Sequence, residues 1–119
     1  MTTTHVFDTE ALRRGIEERD ADTLLALYAE DAELRLVDRV SPPSNPRVLR
    51  GAAAIGAFLQ DVCGREMAHA VERIAVQADT GAYLESCRYP DGTRVLCSAV
   101  LDLADGRILR QVAVQAWDE

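Results

Sequence analysis

The sequence predicts an α+β fold in which three N-terminal helices precede most of a β-sheet, in the order α-α-β-α-β-β-β-β. Residues 88–119 have the pattern of three strands joined by two similar tight turns, Pro90-Asp91-Gly92 and Ala104-Asp105-Gly106. An earlier apolar stripe has the i, i+3, i+4, i+7 spacing of a helix face and contains Ile55, Phe58, Leu59 and Val62. A chain of 119 residues can form one domain with its own core, so we expect a single domain over residues 1–119.

The first two helices are predicted to be short. Asp8 or Thr9 caps the first helix, which ends near Arg19, and Asp20 or Asp22 caps the second. Their apolar stripes contain Leu12 and Ile16 in the first helix, and Leu24, Leu27 and Tyr28 in the second. We expect residues 1–7 to form a flexible arm before the first cap.

The middle of the chain contains a strand, a proline-rich segment and the third helix. Ala32–Val37 alternates apolar and polar side chains, as a strand does. Asp38–Leu49 contains three prolines, which fix φ and lack a donor, so this segment is a loop or a sheet edge and not a central strand. Loops of this length often line or close a binding site. The third helix follows and ends at Gly64.

Two strands precede the first of the two similar turns. They are Glu66–Gln77 and Ala82–Tyr89, joined by a turn at Asp79-Thr80-Gly81. This turn permits more than one register for the strand of residues 66–77. The two alternatives place either His69 and Arg73, or Glu72, Ile74 and Val76, on the inner side of the sheet.

The two similar turns determine which side chains share a face of the last three strands. If both are three-residue loops with a G1 bulge, Glu85 pairs with Cys97 and Leu101 pairs with Leu109. The inner face is then apolar and aromatic with three polar side chains, and carries Tyr83, Glu85, Cys87, Tyr89, Val95, Cys97, Ala99, Leu101, Leu109, Gln111, Ala113, Gln115 and Trp117. The outer face carries an apolar patch of Leu96, Val100, Val112 and Val114. Because a solvated face would be polar, we infer that the outer face is at least partly covered.

Composition excludes several classes of function. A net charge of −7 and a pI near 4.8 argue against a nucleic-acid or anionic-membrane partner. No apolar run reaches transmembrane length, and we expect no signal peptide. Three cysteines without CxxC spacing are typical of a reducing, cytoplasmic environment. No glycine-rich phosphate loop, triad signature or cofactor fingerprint occurs, so we expect no cofactor.

The element order and three segments, LLALYAEDAELRL, LRGAAAIGAFLQ and DGRILRQVAVQAWDE, carry a family resemblance. Over nearly its whole length the chain resembles the SnoaL-like branch of the nuclear transport factor two-like superfamily. The resemblance implies a cone-shaped, curved mixed sheet around a pocket closed by helices, and homodimers formed through the outer sheet face. The superfamily includes isomerases, epoxide hydrolases, polyketide cyclases, dehydratases and non-catalytic binders, so the fold alone assigns no activity.

The ketosteroid isomerase pattern of that superfamily is largely missing. By the resemblance, its general base would fall at Leu36, its oxyanion-hole tyrosine near Arg14, and its second acid near Ala99 or Leu101. Only Trp117 matches a pocket residue of those enzymes, and the Arg-Asp pattern of the epoxide hydrolases has no clear match on the inner face.

Glu85 is the one carboxylate that the predicted register places on the inner face, and it is the leading catalytic candidate. Burial among Tyr, Cys and Ala would favour proton exchange near neutral pH. Alternatively, Glu85 is solvated or pairs with Arg73 or Arg94. His69 is a second candidate acid or base, although a lone histidine on a strand is more often structural. His5 is the only other histidine, so we expect no His-rich metal site.

The remaining inner-face residues are candidates for ligand binding. Gln111 and Gln115 can orient a ligand oxygen, or can equally be core amides. The pocket wall would come from Tyr28, Tyr83, Tyr89, Cys97 and Trp117, of which Tyr28 is most simply a core residue. Cys87 and Cys97 do not pair directly across the strands, so we expect no disulfide, and neither has a histidine partner evident in the sequence.

These observations predict a cytoplasmic homodimer with an apolar pocket for a small hydrophobic or polyketide-like molecule. An enzyme of this kind would catalyse cofactor-independent proton transfer through Glu85. The alternative is a non-catalytic ligand-binding or dimerisation module of the same fold, and a third possibility is an outer sheet face that binds another protein.

Overall fold

A computed structural model describes residues 6–118, which contain three helices: α1 (Thr9–Glu17), α2 (Ala21–Leu25) and α3 (Gly51–Gly64). Asp8 caps α1, because its carboxylate accepts a 2.9 Å hydrogen bond from the amide of Ala11. Asp20 caps α2 through the amide of Thr23. A Cβ on Gly15 would stand 2.7 Å from the Leu24 side chain. The absence of a side chain at Gly15 therefore lets α2 pack closely against α1.

Six strands form one mixed sheet: β1 (Tyr28–Val37), β2 (Arg47–Arg50), β3 (Ala68–Gln77), β4 (Thr80–Arg88), β5 (Arg94–Ala104) and β6 (Arg107–Trp117). Their order across the sheet is β2-β1-β6-β5-β4-β3. β1 runs parallel to β6, and all other neighbours are antiparallel. The sheet curves without closing, and the helices pack against its concave side. The predicted α+β class with a curved mixed sheet and three helices is therefore confirmed.

Three details differ from the expectation. The last three residues of the proline-rich segment, together with Arg50, form the edge strand β2, which agrees with the sheet-edge alternative but adds a sixth strand to the predicted order. Tyr28 begins β1 and is not part of α2, which ends at Leu25. Phe7 is only 5% exposed and belongs to the hydrophobic core, so the predicted arm does not extend to it. Residues 1–5 of that arm lie outside the described residues.

The β4–β5 hairpin has the predicted loop and register. Gly92 adopts φ 92°, and the amide of Tyr89 donates to the carbonyl of Thr93 across the loop. Glu85 lies opposite Cys97 as expected. Buried and exposed residues alternate along the whole of β5, so odd-numbered positions on this strand face the core.

The β5–β6 hairpin corrects the predicted register. Its loop has two residues, Asp105 and Gly106, both with positive φ (53° and 76°), as a type I′ turn requires. Leu101 consequently lies opposite Gln111, not Leu109. The two-residue loop alone would place Gln111 opposite Val100 on the outer face. A bulge at Leu109 restores the pairing parity, so Gln111, Ala113 and Gln115 face inward as predicted and Ile108 replaces Leu109 in the core.

β3 also contains a bulge, and this bulge resolves the two alternatives for its facing. The turn before β4 is Ala78-Asp79, so the predicted turn at residues 79–81 is wrong by about one position. The register then shifts between Val71 and Arg73, which leaves Glu72 as the extra residue. His69 therefore faces inward as in one alternative, and Ile74 as in the other.

Helix α1 forms hydrogen bonds with β3, one of the two edge strands of the sheet, beside this bulge. The amide of Val71 donates to the Glu17 carboxylate at 2.9 Å, and its carbonyl accepts from the Arg13 guanidinium at 2.9 Å. These bonds satisfy edge groups that would otherwise be open to pairing with another chain.

The outer face of the sheet exposes an apolar patch. Leu96, Val100, Val112 and Val114 are 44–53% exposed in the single chain. The inference that this face is covered therefore requires a partner, and it stays a prediction. Of the helices described here, none has the length and apolar character needed to cross a bilayer.

We expect Glu17→Ala to lower the free energy of unfolding by about 1–2 kcal/mol, because Val71 loses a charge-assisted hydrogen bond at a partly exposed site. Chemical denaturation followed by circular dichroism measures the change. Glu18→Ala is the matched control, since Glu18 is exposed at the end of α1, and it should alter stability by less than about 0.5 kcal/mol. Equal losses in both variants would contradict the assigned role of Glu17.

Candidate functional site

A cavity of about 160 Å³ lies between the concave face of the sheet and the helices. Most of its wall is apolar and aromatic, supplied by Leu12, Ile16, Leu24, Leu34, Leu36, Phe58, Leu59, Val62, Met67, Val95 and Ala113. The polar and aromatic residues of the wall include Tyr28, His69, Tyr83, Glu85, Cys87, Tyr89, Cys97, Gln111, Gln115 and Trp117. Asp38 and Arg47 also line the cavity, so both ends of the connection from β1 to β2 contribute to its wall.

Three polar side chains meet on the β3–β4 part of the wall. The Glu85 carboxylate lies 2.8 Å from His69 Nδ1 and accepts a 2.9 Å hydrogen bond from the Cys87 thiol. His69 Nδ1 is 3.2 Å from Cys87 Sγ. The side chains of His69 and Glu85 are only 5% and 12% exposed. A carboxylate this deep requires such partners, because an unpaired buried charge is costly.

The strand register brings this group together. His69 and Cys87 are direct partners across β3 and β4, and Glu85 lies two residues before Cys87 on the same face. Arg73 and Arg94 are exposed, so neither buries its charge beside Glu85, and His69 is the hydrogen-bond partner of Glu85 instead. We call His69, Glu85 and Cys87 the polar triangle.

A second polar group joins β1, β4 and β6. The Tyr28 hydroxyl donates to Gln111 Oε1, and Gln111 Nε2 donates to the Tyr83 hydroxyl at 2.9 Å. Gln111 is 4% exposed and both ends of its amide are engaged, so it positions the two tyrosines. Because the Tyr83 hydroxyl accepts a bond from Gln111, its own proton remains available to a ligand oxygen.

Aromatic residues form one end of the wall. The rings of Tyr89 and Trp117 stack with centroids 5.7 Å apart, and the Arg39 guanidinium lies 4.1 Å from the Trp117 ring centroid. Trp117 Nε1 donates to Gln115 Oε1 at 3.0 Å, and Arg65 donates to the Tyr89 hydroxyl at 3.3 Å. These contacts hold both rings in place and occupy the Gln115 carbonyl.

Burial keeps the thiols and phenols of the wall neutral. It raises the pKa of Cys97 to about 12, with a further contribution from the nearby Glu85 charge. Burial, and then the Glu85 charge, raise the pKa of Cys87 well above its usual value. Burial also raises the pKa of Tyr28 and that of Tyr83. Both tyrosines are therefore hydrogen-bond donors and not phenolates at neutral pH, and neither cysteine is a ready nucleophile.

The arrangement offers a carboxylate paired to an imidazole, and a phenol donor on the same strand as the carboxylate. Such groups can remove a proton from a bound molecule and stabilise the negative charge that develops on its oxygen. By the resemblance, the isomerase base would fall at Leu36 and the second acid near Ala99 or Leu101, and all three of these residues are buried and apolar. Any proton transfer must therefore use a different part of the wall.

All nine residues proposed from the sequence lie on this cavity: Tyr28, His69, Tyr83, Glu85, Tyr89, Cys97, Gln111, Gln115 and Trp117. No histidine partner for Cys87 was evident in the sequence, and the structure places its thiol against both Glu85 and His69. That contact depends on the direct pairing of His69 with Cys87, which was not assigned because the facing of β3 was open. All three cysteines are free.

Comparisons with known proteins agree with this architecture. Residues 9–111 match the sequence profile of a family described as the SnoaL-like domain. No curated protein sequence matched the chain significantly.

Several solved structures share the fold. An NTF2-like protein of unknown function from Mesorhizobium loti has a TM-score of 0.78 at 19% identity, over 97% of this chain and 99% of that one. A Kribbella flavida protein named provisionally as a ketosteroid isomerase has a TM-score of 0.74 at 21% identity, over 93% and 75%. An LEH-like epoxide hydrolase from M. tuberculosis has a TM-score of 0.65 at 18% identity, over 91% of this chain and 79% of that one.

We expect the free energy of unfolding to fall steeply above pH 9. The folded state holds the Cys97 proton above the usual thiol pKa of 9.0, so this contribution is complete below pH 9 and is lost as pH rises towards 12. Each group whose pKa is raised by folding lowers the free energy of unfolding by at most about 1.4 kcal/mol per pH unit. Guanidinium denaturation at pH 8.5 and 10.5, with reductant present, measures the fall.

Cys97→Ala should reduce that fall by about 1–2 kcal/mol. The control is Cys63→Ala, which removes a half-buried thiol and should reduce it less. An identical pH dependence in wild type and Cys97→Ala would contradict the assigned burial of this thiol.

Proposed function

Because the chain belongs to the SnoaL-like domain family, we propose that it is a small-molecule pocket protein that catalyses cofactor-independent proton transfer on a small hydrophobic, oxygen-bearing substrate. The observation that carries the proposal is the buried Glu85–His69 pair at the wall of an otherwise largely apolar cavity. Isomerisation, cyclisation, dehydration and hydrolysis all include such a transfer. The proposed location is the cytoplasm, whose reducing environment suits three free cysteines.

Glu85 is the proposed acid or base. Its carboxylate lies on the cavity wall, and His69 Nδ1 holds one of its oxygens at 2.8 Å. A neighbouring imidazole can stabilise either protonation state of the pair by shifting its own proton, which suits a group that must accept and return a proton. His69 thus positions the Glu85 carboxylate.

Tyr83 is the proposed donor to the substrate oxygen. It lies two residues before Glu85 on the same face of β4, and Gln111 fixes its hydroxyl at 2.9 Å. Burial raises the pKa of Tyr83, so the phenol keeps its proton to donate. A carbonyl bound to Tyr83 would have its neighbouring carbon near Glu85, the geometry needed for proton removal next to a carbonyl.

The size of the cavity limits the substrate. An apolar cavity of about 150 Å³ accommodates benzene, and this cavity is about 160 Å³. We therefore expect a molecule with one ring or a short chain, with any larger part outside the cavity. This size favours a small cyclic ketone over a multi-ring polyketide.

We expect the protein to catalyse exchange of the protons next to the carbonyl of small cyclic ketones in D₂O. Glu85→Gln should slow the exchange by about 10²–10⁴-fold, the usual contribution of a positioned general base, while the affinity for the ketone changes little. Proton NMR measures the rate of exchange and its saturation with ketone concentration. Tyr83→Phe should retain binding and reduce the rate.

Glu72→Gln is the matched control. Glu72 lies on the neighbouring strand but is exposed and accepts a hydrogen bond from the Ser86 hydroxyl, so it should not affect exchange. An unchanged rate of exchange in Glu85→Gln would contradict the role of Glu85 as the general base.

The second candidate function is a non-catalytic ligand-binding module. It is favoured by the apolar residues Leu36, Ala99 and Leu101 at the positions of the isomerase acids. A binder would saturate with a ketone, catalyse no exchange, and lose little affinity on Glu85→Gln. The same NMR experiment therefore separates the two functions.

We also propose that a second copy of the chain covers the outer face. Support comes from the four large apolar side chains exposed there, Leu96, Val100, Val112 and Val114, on neighbouring strands β5 and β6. Exposed apolar patches of this kind commonly mark protein interfaces. A homodimer would bury the patch without altering the cavity on the opposite face.

Val100→Lys should convert a dimer into a monomer, because the dimer would have to bury an unpaired ammonium. Light scattering after size-exclusion chromatography measures the mass. Val40→Lys is the control, since it introduces the same charge at an exposed valine outside the strands. A wild-type protein that is monomeric at every concentration would refute the dimer.

A further inference from the structure

The polar triangle brings together three donor atoms of different chemistry. His69 Nδ1, Glu85 Oε2 and Cys87 Sγ lie within 4.8 Å of one another, with separations of 2.8, 2.9 and 3.2 Å. They converge from two adjacent strands whose register fixes their backbones. The thiol is not needed for proton transfer by the Glu85–His69 pair, so its place in the triangle calls for a separate explanation.

We propose that the polar triangle binds one Zn²⁺ ion, with the fourth coordination position open to the cavity. Imidazole nitrogen, thiolate sulfur and carboxylate oxygen are the three ligand types of zinc in proteins. A thiolate disfavours Mg²⁺ and Ca²⁺, which prefer oxygen ligands. Three protein ligands with one open position are typical of catalytic zinc sites.

The spacing of the donor atoms suits this ion after a small adjustment. Tetrahedral zinc with ordinary bond lengths separates its ligand atoms by roughly 3.3–3.6 Å. Each side of the polar triangle would therefore widen by roughly 0.4–0.7 Å relative to the hydrogen-bonded state. Side-chain rotation can supply this change while the Cα atoms of the two strands stay in place.

Charge balance also favours the site. Zinc entry would release the Cys87 thiol proton to solvent and displace the proton that lies between His69 Nδ1 and Glu85, leaving His69 neutral with a proton on Nε2 and Glu85 as a carboxylate. One thiolate and one carboxylate then neutralise the two positive charges of the ion. A neutral cluster is the form that this buried position tolerates best.

The zinc-bound and hydrogen-bonded states exclude one another, because the ion uses the same lone pairs that hold the Glu85–His69 pair together. This inference goes beyond the proposed proton transfer and does not depend on it. Zinc should inhibit ketone exchange, and a chelator should restore it.

The test is zinc binding by tag-free protein, measured by calorimetry and by the metal content after dialysis. We expect one Zn²⁺ per chain. Cys87→Ala should weaken binding by at least the roughly 10–100-fold that the loss of a supporting partner of a metal ligand costs. Cys97→Ala is the matched control: it removes another buried cysteine of the same cavity but leaves the polar triangle intact, so it should retain binding.

Cobalt provides a second readout. Co²⁺ in the site should show a sulfur-to-metal charge-transfer band that is lost in Cys87→Ser and kept in Cys97→Ala. Cys87→Ser is close in size to the native residue, and its thermal melting curve checks that the fold is intact. Less than stoichiometric zinc binding by the wild type, or equal binding by wild type and Cys87→Ala, would overturn the proposal.

The outcome is distinguishable from that of the proposed function. Cys87→Ala removes one hydrogen bond to Glu85 but keeps the Glu85–His69 pair, so the ketone exchange that remains in this variant should no longer be inhibited by zinc. Zinc binding without any exchange supports the metal site alone, and exchange without zinc binding supports proton transfer alone and overturns the metal site.

Discussion

A carboxylate on the concave face of a sheet must find partners there, and the need to satisfy Glu85 connects most of this structure. Its partners are Cys87 on the same strand and His69 on β3. His69 lies on the same face of the sheet as Glu85 only because the extra residue, Glu72, reverses the alternation of side chains along β3. Beside the bulge, Arg13 and Glu17 of α1 bond both backbone groups of Val71. Helix α1 therefore stabilises the bulge, and the bulge positions His69 beside Glu85.

A bulge also reverses the facing of side chains in β6. The Asp105-Gly106 loop is short, and without the bulge at Leu109 it would direct Gln111 to the outer face. With the bulge, Gln111 turns inward and holds Tyr28 and Tyr83. One extra residue thus reverses the facing of the rest of the strand, because side chains alternate with a period of two. Both polar groups of the cavity rely on such a reversal.

The polar triangle lies on different strands from Leu36, Ala99 and Leu101, the residues at which the resemblance would place the isomerase acids. Leu36, on β1, and Ala99 and Leu101, on β5, fill those positions with apolar groups. The carboxylate is on β4 instead, with an imidazole from β3. A fold of this kind supplies a concave, dry wall, and the few polar residues placed on it decide what the wall can do. The polar triangle also contains a thiol, and this thiol is the reason for proposing that the site binds a metal ion in addition to transferring protons.

The sequence by itself determined the fold class, narrowed each of the first two helix caps to two residues, and determined the inner facing of Glu85. It did so because these features depend on local chemistry: a capping carboxylate, an Asp-Gly turn and the alternation of side chains along a strand. The predicted inner facing of Gln111 and Gln115 is correct although the predicted loop is wrong, because the bulge at Leu109 restores the parity that the two-residue loop alone would reverse. The tertiary structure decided the partners. Leu101 lies opposite Gln111 and not Leu109, Tyr28 belongs to a strand and not to a helix, and His69 lies against Cys87. Bulges and long-range pairing set these contacts, and neither a bulge position nor a parallel pairing leaves a short-range signal in the sequence.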